Sequence, residues 1–357
     1  MNNIGVVSVG LRCPIIREGD NVVETVFNAV KDYGNVNDYD VIGITESVIS
    51  RAQGLYCTVD DVAKSIEELA GKKEPVVILD SPIYSRNRFA IILKGIARAA
   101  KSIVMYMPTK DEVGNPSGVN PFTGVDIEKY YREIVEGENC EFITVNEFYS
   151  GIHKCDLYID CGLHITYDLR PRKGSSKTID LSYVCSDKNP DFGVLGSNKA
   201  TDEKLKLFPT KEMANYVCNQ VQERIYAAFG KHVIVCCYGD GCFKSLEGEI
   251  WECADPTTMP GFTDSDIILS TPNEIKIKAF ADDKFGEIPS GDNLDKAVRE
   301  EISSKKKKSL VGDMKAQGTT PRLYRDLLAS LMDLTTGSGD KGTPVVIIHN
   351  YFKNFSD

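Results

Sequence analysis

The sequence lacks any apolar run of the roughly 18 residues that a membrane-spanning helix needs. Its beginning, MNNIGVVSVGLRC, also lacks the basic segment and apolar block of a signal peptide. These two absences argue against a helical membrane protein and predict a cytoplasmic one. Apolar residues make up 42% of the 357 positions and charged residues 26%, which is typical of a soluble globular protein.

The chain has eleven cysteines but no pair with the C-x-x-C spacing of a redox or zinc motif. Cys236, Cys237 and Cys242 lie in or just after an apolar run, where thiols pack as small apolar groups, so we expect reduced cysteines in the core. The chain also lacks a broad basic face. Its net charge is −10, and the lysines at 305–308 fit a solvated helix end, so no nucleic-acid partner is expected.

Helical and strand patterns alternate along much of the chain, which predicts an α/β protein, with α+β as the alternative: a mixed sheet with flanking helices. Loop-forming residues interrupt this alternation in the middle, so a doubly wound parallel sheet is not predicted. We predict an inserted subdomain there, giving the three parts 1–105, 106–190 and 191–357. The clearest predicted elements are helices at 20–34, 58–71 and 211–229, strands at 75–81 and 345–349, and a strand followed by a turn at 40–54.

The most informative segment is TTGSGDKGTP (335–344), which follows a helical pattern and precedes the strand VVIIH. Its glycines and serine surround Asp340 and Lys341, so backbone amides, a carboxylate and an ammonium group can converge on one anion. The segment is not a Walker A loop, because the spacing differs and the loop precedes its strand. An ordinary helix-to-strand turn is the alternative.

Three further segments have the chemistry of a phosphate or metal site. CPIIREGDN (13–21) precedes a predicted helix, whose first amides bind anions. TESVISRAQG (45–54) supplies carboxylate, hydroxyl and guanidinium groups in a turn closed by Gly54. YGDG (238–241) places Asp240 just beyond a buried strand, with glycines that leave room for a metal ion or phosphate. Each segment alone also fits a capped helix or a simple turn.

A weaker pattern consists of His153, Cys155, Cys161 and His164, which are residue types that bind zinc. Their spacing is not that of a zinc knuckle, and the alternation in DLYIDC favours a packed strand instead.

Together and in this order, the four segments resemble the γ-glutamyl ligase family typified by coenzyme F420-0:L-glutamate ligase. The matching stretches are Pro14–Asn21, Ser50–Gly54, Asp240 with Gly241, and Thr336–Pro344. The resemblance implies an α/β fold assembled as an intertwined homodimer, and small-molecule substrates. It also implies GTP or ATP as co-substrate and Mg²⁺ or Mn²⁺ as metal, with K⁺ as a further candidate. The implied reaction joins L-glutamate by an amide bond to a carboxylate-bearing coenzyme such as F420-0, through an acyl phosphate. A folate or pterin acceptor is one alternative, and a non-catalytic nucleotide-binding regulatory protein is another.

Carried across residue by residue, the resemblance assigns Asp240 and Asp340 to metal and a larger set to the nucleotide. That set is Pro14, Ile15, Ile16, Glu46, Ser47, Arg51, Asn87, Thr336, Gly337, Ser338, Gly339, Lys341, Gly342 and Thr343. The chain departs from the family at Gly241 and Ser338, where metal-binding side chains are expected. Tyr84 stands nearest an early metal-binding aspartate, for which Asp80 is the candidate replacement.

The acceptor is predicted to bind the densest basic cluster outside the lysine run, Arg170, Arg172 and Lys173. An acidic protein that binds several anionic substrates needs such local positive charge. A solvated surface loop is the alternative.

Overall fold

The computed structural model describes residues 4–80, 86–107, 118–119, 124–146, 155–161, 178–239, 243–244, 251–252, 260–272, 277–286, 292–305, 323–336 and 341–353. The helices are α1 (Val22–Tyr33), α2 (Glu46–Ala52), α3 (Val59–Ala70), α4 (Arg86–Ala99), α5 (Ile127–Val135), α6 (Lys211–Phe229), α7 (Ser265–Ile268), α8 (Ile277–Phe285), α9 (Asp292–Lys305) and α10 (Tyr324–Thr336). The strands are β1 (Val7–Leu11), β2 (Val41–Thr45), β3 (Tyr56–Thr58), β4 (Val76–Asp80), β5 (Ser102–Tyr106), β6 (Glu141–Val145), β7 (Leu157–Asp160), β8 (Thr178–Asp180), β9 (Ser197–Thr201), β10 (Lys204–Leu207), β11 (Ile234–Tyr238), β12 (Phe243–Lys244), β13 (Trp251–Glu252), β14 (Gly261–Phe262) and β15 (Val345–His349). None of the helices in these ranges is long and apolar enough to cross a membrane.

The chain divides into two compact units, each assembled from segments that are distant in sequence. The first unit comprises Met1–Pro14, Val23–Ile44 and Cys218–Asp357, and the second comprises Ile15–Val22 and Thr45–Val217. The strands β6, β7 and β8, which fall within 106–190, belong to the second unit. Whether 106–190 is an insertion relative to other proteins stays a prediction, because compactness alone does not test it.

The first unit is built around a five-stranded sheet with the order β1-β15-β2-β11-β14. Strand β15 lies between β1 and β2 and pairs antiparallel with both, and all five of its residues are buried. Helix α10 packs on this sheet through Leu328, Ala329 and Met332, which share a core cluster with residues of β2, β11 and β15. This sheet places the two ends of the chain side by side.

The second unit contains two separate sheets. One is a five-stranded, all-parallel sheet with the order β6-β5-β4-β7-β8. The other is antiparallel, with the order β3-β10-β9. Helices α3 and α4 pack closely, since a Cβ added at Gly95 would lie 2.6 Å from Cγ1 of Val62.

The mixed α/β fold with flanking helices is confirmed, and several element boundaries follow from local signals. Thr58 caps α3 in a reciprocal capping box with Asp61, and Gly71 ends that helix with a left-handed conformation. The parallel sheet was not predicted, because loop-forming residues interrupt the helix and strand patterns of the sequence after β5. The turn predicted after β2 is wrong: residues Glu46–Ala52 form helix α2. The β-branched Val48 and Ile49 conceal this helix, which buries Ile49 and Ala52.

Candidate functional site

The C-terminal loop is held closed at its two ends. Thr343 Oγ1 donates a 3.4 Å hydrogen bond to the carbonyl of Thr336, the last residue of α10. Thr336 Oγ1 in turn donates to the carbonyl of Met332 at 2.8 Å. Lys341 and Gly342 are exposed, and Gly342 has a φ of +67°, which glycine adopts without strain. The ends of this loop are therefore fixed while residues within it face solvent.

The C-terminal loop lies against the end of strand β1 in the first unit. The backbone N–H of Cys13 donates a 2.9 Å hydrogen bond to the carbonyl of Gly342. Earlier in the chain, a Cβ added at Gly10 in β1 would lie 3.0 Å from Cβ of Thr343. These contacts extend the β1–β15 pairing into the loop, so the end of β1 and the end of the C-terminal loop form one surface.

The strand β11 also reaches this loop. Tyr238, the last residue of β11, donates a hydrogen bond from its hydroxyl to Thr336 Oγ1. Asp240 follows two residues later, outside the described ranges. The strand that precedes the predicted metal ligand therefore ends beside the predicted phosphate loop.

A second group of predicted residues lies in the second unit, around α2. The backbone N–H of Gly19 donates a 2.8 Å hydrogen bond to the carbonyl of Ala52. The Glu18 carboxyl packs against Gly54, because a Cβ added there would lie 2.7 Å from Cδ of Glu18. The segment 15–20 and the end of α2 are thus joined. Within that segment Ile15 is 68% exposed and Ile16 only 6% exposed, so Ile15 is the one that faces solvent.

Glu46 begins α2 and is almost fully buried, at 2% exposure. Its Oε1 accepts a 2.9 Å hydrogen bond from the side-chain amide of Asn198 on β9. The turn before Asn198 is held by Arg88, whose Nη1 donates to the carbonyls of Leu195 at 3.2 Å and Ser197 at 2.8 Å. The position of Glu46 therefore depends on residues about 150 positions away in sequence.

Sequence reasoning missed Asn198 and Lys206. Lys206 on β10 donates a hydrogen bond from Nζ to Oγ of Ser47, which is the second residue of α2. The alternation KLKL at 204–207 is a signal for a strand that presents its lysines on one face. No local signal indicates that this face meets α2, because the contact depends on long-range strand pairing.

Several predicted residues lie outside the part of the chain that the structure describes. They are Asp240 and Asp340 for metal, Gly337, Ser338 and Gly339 for the nucleotide, Arg170, Arg172 and Lys173 for the acceptor, and His153 and His164 for zinc. Asn87 lies in the first turn of α4, and only its backbone is described. The roles of these residues stay predictions.

Within the described ranges, no group of three or more His, Cys, Asp or Glu residues is arranged to hold a metal ion. Asp80, Asp160 and Asp180 end three neighbouring parallel strands in matched register, but Tyr158 donates its hydroxyl to Asp80 and Ser182 N–H donates to Asp180.

Cys155 and Cys161 flank β7, whose four residues alone span about 10 Å. Two thiolates that bind one zinc ion lie within about 4.6 Å of each other, so Cys155 and Cys161 do not bind the same zinc ion.

The described cysteines are free thiols, and most of them are buried. Burial raises the pKa of the Cys218 thiol to about 12, so this thiol is neutral near pH 7. Cys236 and Cys237 are buried free thiols, as predicted, whereas Cys242 lies outside the described ranges and Cys13 and Cys140 are only half-buried.

Comparison with known proteins identifies the family. The family described as F420-0:Gamma-glutamyl ligase matches residues 10–350, which is nearly the whole chain. No curated protein matches the chain. The match includes all four predicted motifs, and it also spans residues 106–190, which were predicted to form an inserted subdomain. The chain therefore belongs to the F420-0:γ-glutamyl ligase family.

Proposed function

We propose that this protein is a nucleotide- and metal-dependent γ-glutamyl ligase that joins L-glutamate to a carboxylate-bearing coenzyme such as F420-0. The observation that carries the proposal is the Cys13 to Gly342 hydrogen bond, which joins the segment after β1 to the C-terminal loop within the first unit. Segments from the two ends of the chain build one backbone-rich surface, and the family match spans both of them.

The C-terminal loop suits a phosphate group. Exposed Lys341 supplies a positive charge, and the glycines let backbone amides approach a ligand without interference from side chains. The hydrogen bonds of Thr336 and Thr343 hold the loop before a ligand arrives, which lowers the entropy cost of binding.

The groups around α2 suit anionic ligands in a similar way. Arg51 is exposed, and no ion pair engages its guanidinium in the described part of the chain. A guanidinium binds a phosphate or carboxylate through two parallel hydrogen bonds. Ser47 and Arg51 are four residues apart in α2, so they share one face of that helix.

The proposed reaction has two steps. An oxygen of the acceptor carboxylate first bonds to the γ-phosphorus of the nucleotide, and the bond from that phosphorus to the bridging oxygen breaks, releasing the nucleoside diphosphate. The amine of glutamate then attacks the acyl carbon, loses a proton and displaces inorganic phosphate. Lys341 in the first unit and Arg51 in the second are each candidates to bind phosphate groups. Positioning and charge neutralisation by such cations would lower the barrier to phosphoryl transfer.

Asp240 and Asp340 are the residues proposed to hold Mg²⁺ or Mn²⁺. Both are carboxylates, the hard oxygen donors that these ions prefer. The metal would neutralise charge on the transferring phosphoryl group. Arg170, Arg172 and Lys173 are proposed to bind the acceptor, and their replacement by alanine should raise the KM for the acceptor without changing nucleotide affinity.

The test measures phosphate release from GTP and from ATP, with and without L-glutamate and F420-0, together with mass spectrometry of the coenzyme. We expect release that depends on both substrates, and a product heavier by one glutamyl residue. Asp240→Asn should abolish turnover and leave the melting temperature nearly unchanged. Nucleotide binding without glutamate-dependent turnover for F420-0, folate or pterin acceptors would instead identify a non-catalytic nucleotide-binding protein.

A further inference from the structure

Lys206 lies next to Glu46 and Ser47, two residues that were predicted to contact the nucleotide. The sequence alone did not predict that Lys206 lies there. In the antiparallel sheet, Lys206 is the cross-strand partner of Asn198 on β9 and of Tyr56 on β3. Directly opposed residues in a sheet project to the same face. Asn198 and Lys206 both reach α2 from that face, the first to Glu46 and the second to Ser47. Neighbouring strand residues thus contact consecutive residues at the start of the helix.

No carboxylate of the described residues balances the charge of Lys206. Lys206 is half-buried, and in the described part of the chain its ammonium group has no carboxylate oxygen within 4 Å. Other lysines of this unit do have such partners: Lys94 pairs with Glu203, Lys188 with Asp61 and Lys199 with Asp202. Partial burial of a cation against a neutral hydroxyl is unfavourable, and a bound anion would offset that cost.

A second unbalanced cation lies on the same side of α2. Arg51 shares a helix face with Ser47, the residue that Lys206 contacts. An ammonium group has three N–H donors, and the contact with Ser47 uses one of them. Lys206 therefore retains donors for a ligand, and Ser47 fixes the direction in which they point.

We infer that Lys206 is a further anion-binding residue of this protein, which binds phosphate oxygens of the nucleotide together with Arg51. The inference rests on the proposed function for its choice of ligand. Ser47 acts as a positioning residue, because its hydroxyl orients the ammonium group.

The first experiment measures the affinity of the full-length protein for a fluorescent GTP analogue with Mg²⁺. Lys206→Met removes the charge and keeps most of the aliphatic stem, so we expect the Kd to rise roughly tenfold. Lys206→Arg keeps the charge and should restore most of the affinity. Lys204→Met is the matched control, because Lys204 is an exposed lysine on the same strand. It should leave the Kd unchanged.

If Lys206 only fixes α2 to the sheet, Lys206→Met will lower the melting temperature and leave the Kd of the folded protein unchanged. That result overturns the inference and leaves the proposed function standing.

A second experiment works whether or not the protein binds nucleotides. The rate at which an amine-acylating reagent modifies Lys206 is measured by mass spectrometry, with and without GTP, ATP or inorganic tripolyphosphate. Lys204 is the internal reference. Slower modification of Lys206 alone supports the inference. Protection by tripolyphosphate but by neither GTP nor ATP supports an anion site and contradicts the proposed function. Absence of protection by all three anions overturns the assignment of Lys206.

Discussion

Nδ1 of His349 lies 2.8 Å from Oδ2 of Asp40, 309 residues earlier in the chain. Both side chains are buried, and an ionised carboxylate only accepts hydrogen bonds, so Nδ1 is the donor. The same carboxylate oxygen accepts a 2.7 Å hydrogen bond from the backbone N–H of Asn37, and Nε2 of His349 lies 3.0 Å from the Tyr33 hydroxyl. This cluster joins α1, the start of β2 and the end of β15.

Asp40→Ala should destabilise the first unit by about 1.5–3 kcal/mol, because it leaves a buried donor on His349 and a half-buried donor on Asn37 without their acceptor. Urea unfolding of the full-length protein measures the loss. Asp38→Ala is the control: Asp38 is an exposed residue that pairs with Lys231, and its loss should have a much smaller effect. Equal losses for the two variants would show that the buried cluster adds little stability.

The sequence predicted those elements whose signals are local. Asp20 before an apolar face predicted α1, and Thr58 and Gly71 marked the ends of α3. Helix α6 was predicted with the bounds that the structure gives, because its amphipathic pattern runs without a break from Lys211 to Phe229.

Contacts between distant segments could not be predicted from one sequence. The pairs Asn198–Glu46 and Lys206–Ser47 exist only because β9, β10 and β3 pair and α2 packs on them. The pattern of a strand shows which side chains share a face, but it does not show which strand or helix lies next to that face. The presence of Lys206 beside α2 was therefore not predicted. The family was predictable from the sequence, since the order of the four segments is visible in the chain.

The stability contribution of Asp61 should depend on pH. Burial alone would raise the pKa of this carboxyl, but hydrogen bonds from the backbone and hydroxyl of Thr58 and from Lys188 lower it below the usual 3.8. Since the pKa is lower in the folded state, the stabilisation is present above the unfolded-state pKa and is lost as the pH falls through the folded-state pKa.

Asp61→Asn should therefore cost about 1 kcal/mol at pH 7, where the capping box and the Lys188 contact both favour the carboxylate. The difference in unfolding free energy between Asp61→Asn and the parent protein should become smaller as the pH is lowered below 3.8. Urea unfolding over a series of pH values measures this trend. A difference that stays constant down to the acid limit of the folded protein would contradict it.

Gly54→Ala should both destabilise the protein and weaken nucleotide binding. Gly54 has a φ of +63°, which costs a residue with a Cβ about 1–2 kcal/mol. The new Cβ would also displace the Glu18 carboxyl and disturb the segment that is hydrogen-bonded to Ala52.

Gly71→Ala separates these two effects. Gly71 has a similar φ of +73°, but no atom lies within 4 Å of its added Cβ. Both variants should lose similar stability, and only Gly54→Ala should raise the Kd for a GTP analogue. Equal Kd values for the two variants would show that the position of Glu18 does not affect the site.

Arg51→Ala should weaken nucleotide binding without affecting the fold. Arg51 is exposed in the last turn of α2, and within the described residues it has no ion pair to lose. The melting temperature should therefore change as little as it does for an ordinary surface substitution. Loss of charge-assisted hydrogen bonds to a phosphate should raise the Kd for a GTP analogue about 10- to 100-fold. Arg51→Lys should recover part of the affinity, because a lysine keeps the charge but not the planar pair of donors.

Arg132→Ala is the control, since Arg132 is a surface arginine already paired with Glu128, and its removal should leave the Kd unchanged. If Arg51→Ala binds the analogue as the parent does, Arg51 is a surface residue, and the positive charge of the site must come from elsewhere.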